Sequence, residues 1–402
     1  MNFNSYNWKR GKLKISSKKV FGWIKKIYMI ICNKIYGINN RSVVFISFGG
    51  KSYSDNPKAI SEKLHEINPE MKIIWLFNNP RAKKTVVPEY ITCYRKNSFK
   101  ALKALATSKF WVDNFNKPLY VYKSKKQVYI QTWHGDRAFK KILYDAWPNG
   151  RRPEPLLESE ICDVIVTGSD FGEKMYRSAF RYRGKYLRVG SPRNDSLINT
   201  DQVRINRIKS KLALHEDDKI VLYAPTFRKK AAKQKVKQKI DIDLLGVIHK
   251  LNTLTNNKWV CLVRAHSAVS GLEGIPGGNE IIDVTEYEDM ADLLQIADLL
   301  ITDYSSSATD LILTNKPIIL YHSDYEEYKQ HDREFYYDIN MTGFFIAKNQ
   351  EELYECIDSA FKEDTAARNK KIREFYGVYE SGEASTKVVE YILDQLNGSE
   401  FS

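Results

Sequence analysis

At 402 residues the chain is too long for one hydrophobic core, so two domains of ordinary size are expected. A hydrophobic fraction of 43% with 12% aromatic residues excludes a disordered or fibrous polypeptide. The net charge of +14 calls for an anionic partner (nucleic acid, phospholipid headgroups or a phosphate-rich substrate), and five scattered cysteines without a CxxC pair argue against a disulfide framework or a zinc site.

From Met1 to Arg41 there are ten Lys or Arg and no Asp or Glu. The apolar run inside this segment is interrupted by Lys25, Lys26 and Lys34, which makes it too short and too charged to cross about 30 Å of hydrocarbon. No small-residue cleavage site follows, as a signal peptide would require. Phe21, Trp23, Ile24, Ile27, Met29, Ile30 and Ile31 beside lysines fit a basic amphipathic helix lying on an anionic membrane surface. The alternative is an ordinary helix packed on the body, or a basic arm. Residues 1–40 are accordingly set apart from the rest.

Strand and helix signals then alternate. "RSVVFISFG" reads as a buried strand, "DNPKAISEKLHEI" as a helix and "KIIWLF" as the next strand; "KFWVDN", "VYIQTW", "VIVTG" and "YLRVG" follow, with helices over 97–107 and 170–180. After the basic stretch Arg204 to Lys219, read as the hinge region, the pattern restarts with "IVLYAPTF", "WVCLVRAH", "EIIDVT", "DLLITDY" and "PIILYH". Helices over 241–253, 290–296 and 306–314 separate these strands, and a last one covers 383–396. The expectation is α/β: two Rossmann-like domains with parallel sheets, over 41–203 and 204–382, and a C-terminal helix and tail over 383–402.

In such sheets ligands bind beyond the carboxyl ends of the strands, where the unusual residues collect. "QTWHGDRAFKK" puts His134 between Trp133 and Gly135 at a strand end, leading to Lys140 and Lys141. "LVRAH" projects Arg264 and His266 from one face of an extended chain, a pairing suited to phosphate oxygens or simply a surface Arg with a capping His. "ITDYSSSATD" runs Asp303 into Ser305, Ser306 and Ser307 at a helix start, followed by Asp310; three serines exceed what one cap needs. "YAPTFR" offers Thr226 and Arg228, and "GSPRND" makes Arg193, Asn194 and Asp195 either a ligand-contacting turn or a hinge. No Gly-x-Gly-x-x-Gly, P-loop lysine or Gly-x-Ser-x-Gly elbow occurs, which argues against nicotinamide enzymes, NTPases and serine hydrolases. Asp241 and Asp243 are weak support for a metal. Aromatic residues do not interleave with the basic runs as a nucleic-acid stacking platform requires.

In order, these motifs, with "SYSDNPKAI", "DVTEYEDMADLLQIADLLITDYSS", "KPIILYHSDYEEY", "DREFYYD" and "GEAS", resemble the CDP-glycerol glycerophosphotransferases across residues 41–397. These are teichoic acid primases and polymerases of Gram-positive bacteria, with ribitol-phosphate and capsule relatives. The resemblance implies a GT-B fold, with the CDP-activated donor on the C-terminal domain and a lipid-linked acceptor on the N-terminal one. It implies that His134 and His266 are catalytic and that Thr226, Arg228, Ser305, Ser306 and Asp310 belong to donor-contacting segments; with this many positive groups present, no cofactor or metal is required. The chain departs from the family pattern after His-Gly, where Asp136-Arg137-Ala138-Phe139-Lys140-Lys141 replaces Thr-Pro-Leu-Lys-Lys. Ser191 replaces a usual Tyr, and Thr309 a frequent Phe.

In that setting His134 is expected to take the proton of an acceptor hydroxyl attacking the β-phosphate of the donor, with CMP as leaving group; His266, Arg264 and Arg228 would stabilise the diphosphate. The competing readings are a glycosyltransferase using a nucleotide sugar and a membrane-attached adaptor without turnover.

Overall fold

The computed structural model describes residues 17–226, 228, 238–265, 272–275 and 278–397. Two parallel sheets organise them. The first contains β1 (Asn39–Ile46), β2 (Lys72–Phe77), β3 (Thr92–Arg95), β4 (Ser108–Asp113), β5 (Val128–Gln131), β6 (Val164–Thr167) and β7 (Lys185–Arg188), in the order β3-β2-β1-β4-β5-β6-β7. The second contains β8 (Lys219–Ala224), β10 (Trp259–Val263), β12 (Ile281–Asp283), β13 (Leu299–Thr302), β14 (Ile318–Tyr321) and β15 (Phe345–Ala347), in the order β12-β10-β8-β13-β14-β15. A short pair, β9 (Gln238–Lys239) with β11 (Leu272–Glu273), stands apart.

The continuous apolar runs follow from burial on both faces, the normal state of a parallel sheet covered by helices. In the second sheet Leu222, Leu300 and Leu320 point into one core, while Val221, Ile301 and Ile319 point into the other. Register is set at the centre: Val43 pairs with Ile73 on one side and Phe110 on the other. Phe45 and Trp75 stack with ring centroids 5.7 Å apart.

Three places differ from the reading of the sequence. The stretch Arg204 to Lys219, read as the hinge region, is mostly regular structure: helix Gln202–Lys211 docks on the second unit through buried Ile208 and an Arg204–Asp292 ion pair of 2.6 Å. The last helix, Ala384–Asn397, returns to the first unit, where Val388, Val389 and Ile392 are buried with Val43, Ile60 and Trp75. Strand β15 and helices Gln350–Lys362 and Thr365–Tyr376 fill a stretch that had been left unassigned.

Helix Ser17–Tyr36 covers the basic N-terminal run from residue 17 onward, and the earlier part lies outside the described residues. It lies against helix Phe99–Thr107, with Tyr28 edge-on to Phe99 at 5.0 Å. Met29 and Cys32 are buried against the body, so Met29 is core and does not face outward with the other apolar residues. The opposite face leaves Trp23 66%, Ile24 50% and Ile31 47% exposed, whereas Phe21 lies on the side of Cys32 with the Lys25 ammonium 4.7 Å from its ring centroid. No described helix is long and apolar enough to cross a membrane.

Candidate active site

The first unit contributes the turn after β5. Gln131 Oε1 accepts the N–H of Trp133 at 2.9 Å, and Asn56 Nδ2 donates to the carbonyls of Thr132 and Trp133 at 3.3 and 3.0 Å. Those bonds hold Trp133 at φ +47°, a conformation costly for a bulky residue and typical of sites whose surroundings over-determine the backbone. The indole is buried, edge-on to Phe180 at 5.0 Å. The turn thereby presents the next residue, His134.

His134 Nδ1 lies 2.7 Å from the carbonyl oxygen of Asn114, just past β4. A carbonyl can only accept, so Nδ1 carries the proton and Nε2 keeps its lone pair. Nε2 has no hydrogen-bond partner among the described residues. Burial lowers the imidazole pKa below the ordinary histidine value, and Arg193 and Arg333 add to the effect against the opposing pull of Asn114 and Asp55. The ring is neutral at pH 7, as a general base must be.

Across the seam stands the segment after β13. Ser305 Oγ caps helix Ser306–Leu311 by accepting from Ser307 N at 3.3 Å, and Ser307 Oγ donates to Ser305 Oγ at 2.9 Å. Two of the three serines therefore serve the cap. Ser306 is left facing the first unit: a Cβ built on Gly135 would lie 3.4 Å from Ser306 Oγ. The histidine turn and the serine turn, far apart in sequence, touch where Gly135 has no side chain.

Arg228 is closely paired. Its guanidinium bonds Asp324 at 2.5 and 2.9 Å and Asp303 at 2.9 Å, while Asp303 also accepts the N–H of Thr226 at 2.9 Å. Burial alone would raise the Asp303 pKa, but Arg228 and Lys140 hold it below the carboxylate range. Arg228, Asp303 and Asp324 line a cavity of about 110 Å³ with Tyr223, Asp241 and Tyr321 at the carboxyl ends of β8, β13 and β14. Arg264 lies at the end of β10, with Nη2 donating to Tyr287 O at 3.1 Å and Nη1 buried without a partner among the described residues. His266 lies outside the described residues, as does most of the basic stretch after Arg228. Asp243 caps helix Leu244–Thr255, and among the described residues no cluster of His, Cys, Asp or Glu could hold a metal ion.

Asp310, Arg193, Asn194 and Asp195 lie at the seam. Asp310 accepts from Arg193 at 2.8 Å, from Asn194 at 3.2 Å and from Arg137 at 3.3 Å, and Arg193 also reaches Asp55 at 3.1 Å. Asp195 accepts the N–H groups of Ala384 and Ser385 at 2.9 and 2.7 Å, anchoring the last helix. Lys141 pairs with Glu334 at 2.7 Å on the outside of the same junction. Lys140 forms an isolated bridge with Phe335 of the second unit.

Sequence reasoning did not select Arg137, Glu380 or Asn114. Arg137 is completely buried, donates to Glu380 at 2.5 Å, and exchanges bonds with Thr309: its Nε donates to Thr309 O at 3.0 Å, and Thr309 Oγ1 donates to Arg137 O at 3.0 Å. Two departures from the family pattern, at Arg137 and Thr309, are thus one contact. A hydroxyl in place of an aromatic ring leaves room for the guanidinium and bonds its backbone. The available signal was a charged Asp-Arg pair directly after a histidine turn.

The comparisons agree with this architecture. The family model described as CDP-Glycerol:Poly(glycerophosphate) glycerophosphotransferase matches residues 27–394. A teichoic acid poly(glycerol phosphate) polymerase of Bacillus spizizenii is 32% identical over 389 residues, 92% of this chain and 96% of that protein. One of the same description from Staphylococcus epidermidis is 32% identical over 376 residues, 86% of this chain, which spans only 51% of that longer protein. The solved wall teichoic acid polymerase TagF superposes with a TM-score of 0.81 at 30% identity, covering 95% of this chain and 96% of that one. The chain belongs to the CDP-glycerol:poly(glycerophosphate) glycerophosphotransferase family.

Proposed function

We propose that this protein moves a polyol phosphate, glycerol phosphate foremost, from a CDP-activated donor to a hydroxyl of a lipid-linked acceptor in teichoic acid synthesis. The observation that carries the reading is the meeting of the His134 turn of one sheet with the Ser306 turn of the other. His134 is neutral, holds its proton on Nδ1 and leaves Nε2 without a hydrogen-bond partner among the described residues. In a GT-B arrangement the donor lies on the second unit and the acceptor on the first, so a base on this turn would stand where an acceptor oxygen meets the donor phosphorus.

The step balances simply. The acceptor hydroxyl loses its proton to Nε2 as its oxygen bonds the β-phosphorus; the bond from that phosphorus to the bridging oxygen breaks, and CMP leaves with the electron pair. Ser306 and the Arg264 guanidinium, whose buried Nη1 has no partner among the described residues, are suited to the diphosphate charge. Arg228 serves that site less directly, because Asp303 and Asp324 already occupy it.

Helix Ser17–Tyr36 bears on the acceptor end. Its outward face combines exposed Trp23, Ile24 and Ile31 with neighbouring lysines, which suits the cytoplasmic surface of an anionic membrane. The deciding experiment incubates the purified protein and a lipid-linked saccharide acceptor with CDP-glycerol, CDP-ribitol or a UDP-sugar. Acceptor-dependent CMP release with CDP-glycerol supports the reading. Release only from the UDP-sugar makes the protein a glycosyltransferase, and no release with any donor favours an adaptor.

A further inference from the structure

Lys140 has a feature that the proposed chemistry leaves unused. It belongs by chain to the first unit, six residues after His134, yet the segment around it is embedded in the second. Phe139 is buried among second-unit residues, 5.8 Å from the Phe344 ring, and its carbonyl accepts the N–H of Tyr336 at 2.9 Å. Lys141 N donates to Glu334 O at 2.9 Å. The Lys140 ammonium is thereby carried over the Tyr328 ring, 5.9 Å from its centroid, beside the aromatic cluster of Tyr304, Tyr325 and Phe335.

No acceptor of the described residues hydrogen-bonds this ammonium. The acid that pulls hardest on it is Asp303, whose oxygens are taken by Arg228 and by the N–H groups of Thr226 and Tyr304. Arg333, two residues before the Phe335 bridge, also lacks an ion-pair partner among the described residues, and its charge acts on both Lys140 and His134. Two half-buried cations that repel each other are costly unless an anion lies between them.

We propose that Lys140 and Arg333 form a two-cation clamp for the diphosphate of the nucleoside-diphosphate donor, one cation from each unit. The inference rests on the donor reading above and adds to it that the first unit supplies a donor ligand, so that closing the seam and binding the donor are one event. The loop that carries His134 would then sense the donor it acts upon.

The electrostatics agree. Burial first, then Arg333 and Arg228, lower the Lys140 pKa to about 8 against the opposing pull of Asp303 and Asp332. A bound diphosphate favours the charged form and raises that value in the complex. Donor affinity should therefore be level below pH 8 and fall as pH rises past it, because binding must then take up a proton.

The test is calorimetry on the full chain with CDP-glycerol, CMP and inorganic pyrophosphate, comparing Lys140→Met, Lys140→Arg and Arg333→Gln with the parent. Losing a charge-assisted bond should weaken CDP-glycerol binding roughly 10- to 100-fold in Lys140→Met. CMP binding should fall less, the denaturation midpoint should hold, and Lys140→Arg should keep most of the affinity without the decline above pH 8. Unchanged CDP-glycerol affinity in Lys140→Met overturns the clamp, as does an equal loss for all three ligands with a lowered denaturation midpoint. If the parent binds pyrophosphate through Lys140 but not CDP-glycerol, the clamp stands and the donor reading fails. If it binds neither, both fail.

Discussion

Replacing Arg137 with Met tests whether the seam is held by charge. Arg137 is fully buried, and its Nη1 bonds Glu380 at 2.5 Å, its Nη2 bonds Asp310 at 3.3 Å and its Nε bonds Thr309 O at 3.0 Å. Met roughly conserves the volume and removes every one of these donors. Asp310 suffers little, since Arg193 still donates to both of its oxygens. Glu380 suffers most: it is 2% exposed and would keep only the Asn194 amide, at 3.1 and 3.2 Å. Breaking a buried pair by removing one partner costs roughly 3–5 kcal/mol, and that cost should fall on this carboxylate. Burial already holds the Glu380 pKa above the carboxylate range despite Arg137, and losing the guanidinium raises it further. With the folded pKa above the unfolded one, the folded state holds the proton over the window between them, so stability falls as pH rises through that window. The variant's deficit should be small near pH 4 and grow toward neutrality. Urea denaturation of Arg137→Met, Glu380→Gln and the double variant gives the coupling: if the pair is the cause, the double variant should be more stable than the summed losses by about 0.5–3 kcal/mol. Additive losses, or a deficit independent of pH, would refute the reasoning.

His134→Ala should lower turnover roughly 10²- to 10⁴-fold, as for a lost general base, with CDP-glycerol affinity nearly unchanged in calorimetry. The acid limb of kcat/KM for the parent should lie below pH 6.5, because burial lowers the His134 pKa and the base stays neutral further into acid. Removing the N-terminal helix entirely would expose the core around Met29 and Cys32, so the membrane role is better tested by Trp23→Ser with Ile24→Ser on its outer face. That variant should float poorly with anionic vesicles while keeping its rate on a short soluble acceptor. Gly172→Ala should lower the denaturation midpoint and activity together, since a Cβ there would lie 2.0 Å from Asp136 Oδ1 and displace its bonds to Thr167 and Ser169.

Local pattern was enough for most of the architecture. "KIIWLF" and "DNPKAISEKLHEI" have the bounds of β2 and helix Asp55–Ile67, because strand and helix periodicities are written in neighbouring residues and survive any tertiary arrangement. The same locality put His134, Arg264, Asp303 and Ser305 at strand ends, where a parallel sheet binds ligands. What the sequence could not determine is partnership. Asp310 reads as a site residue beside three serines, and only the fold joins it to Arg193 and Arg137, 117 and 173 residues away. Arg228 reads as a free guanidinium at a strand end, and only the fold brings Asp303 and Asp324 against it. The reason is physical: a charge acts through space and desolvation, and neither is a property of the neighbouring letters. Secondary structure was legible because its forces are short along the chain. Whether a cation at the junction is paired, as Arg137 is, or left without an acceptor among the described residues, as Lys140 is, was decided only when the two units closed on each other.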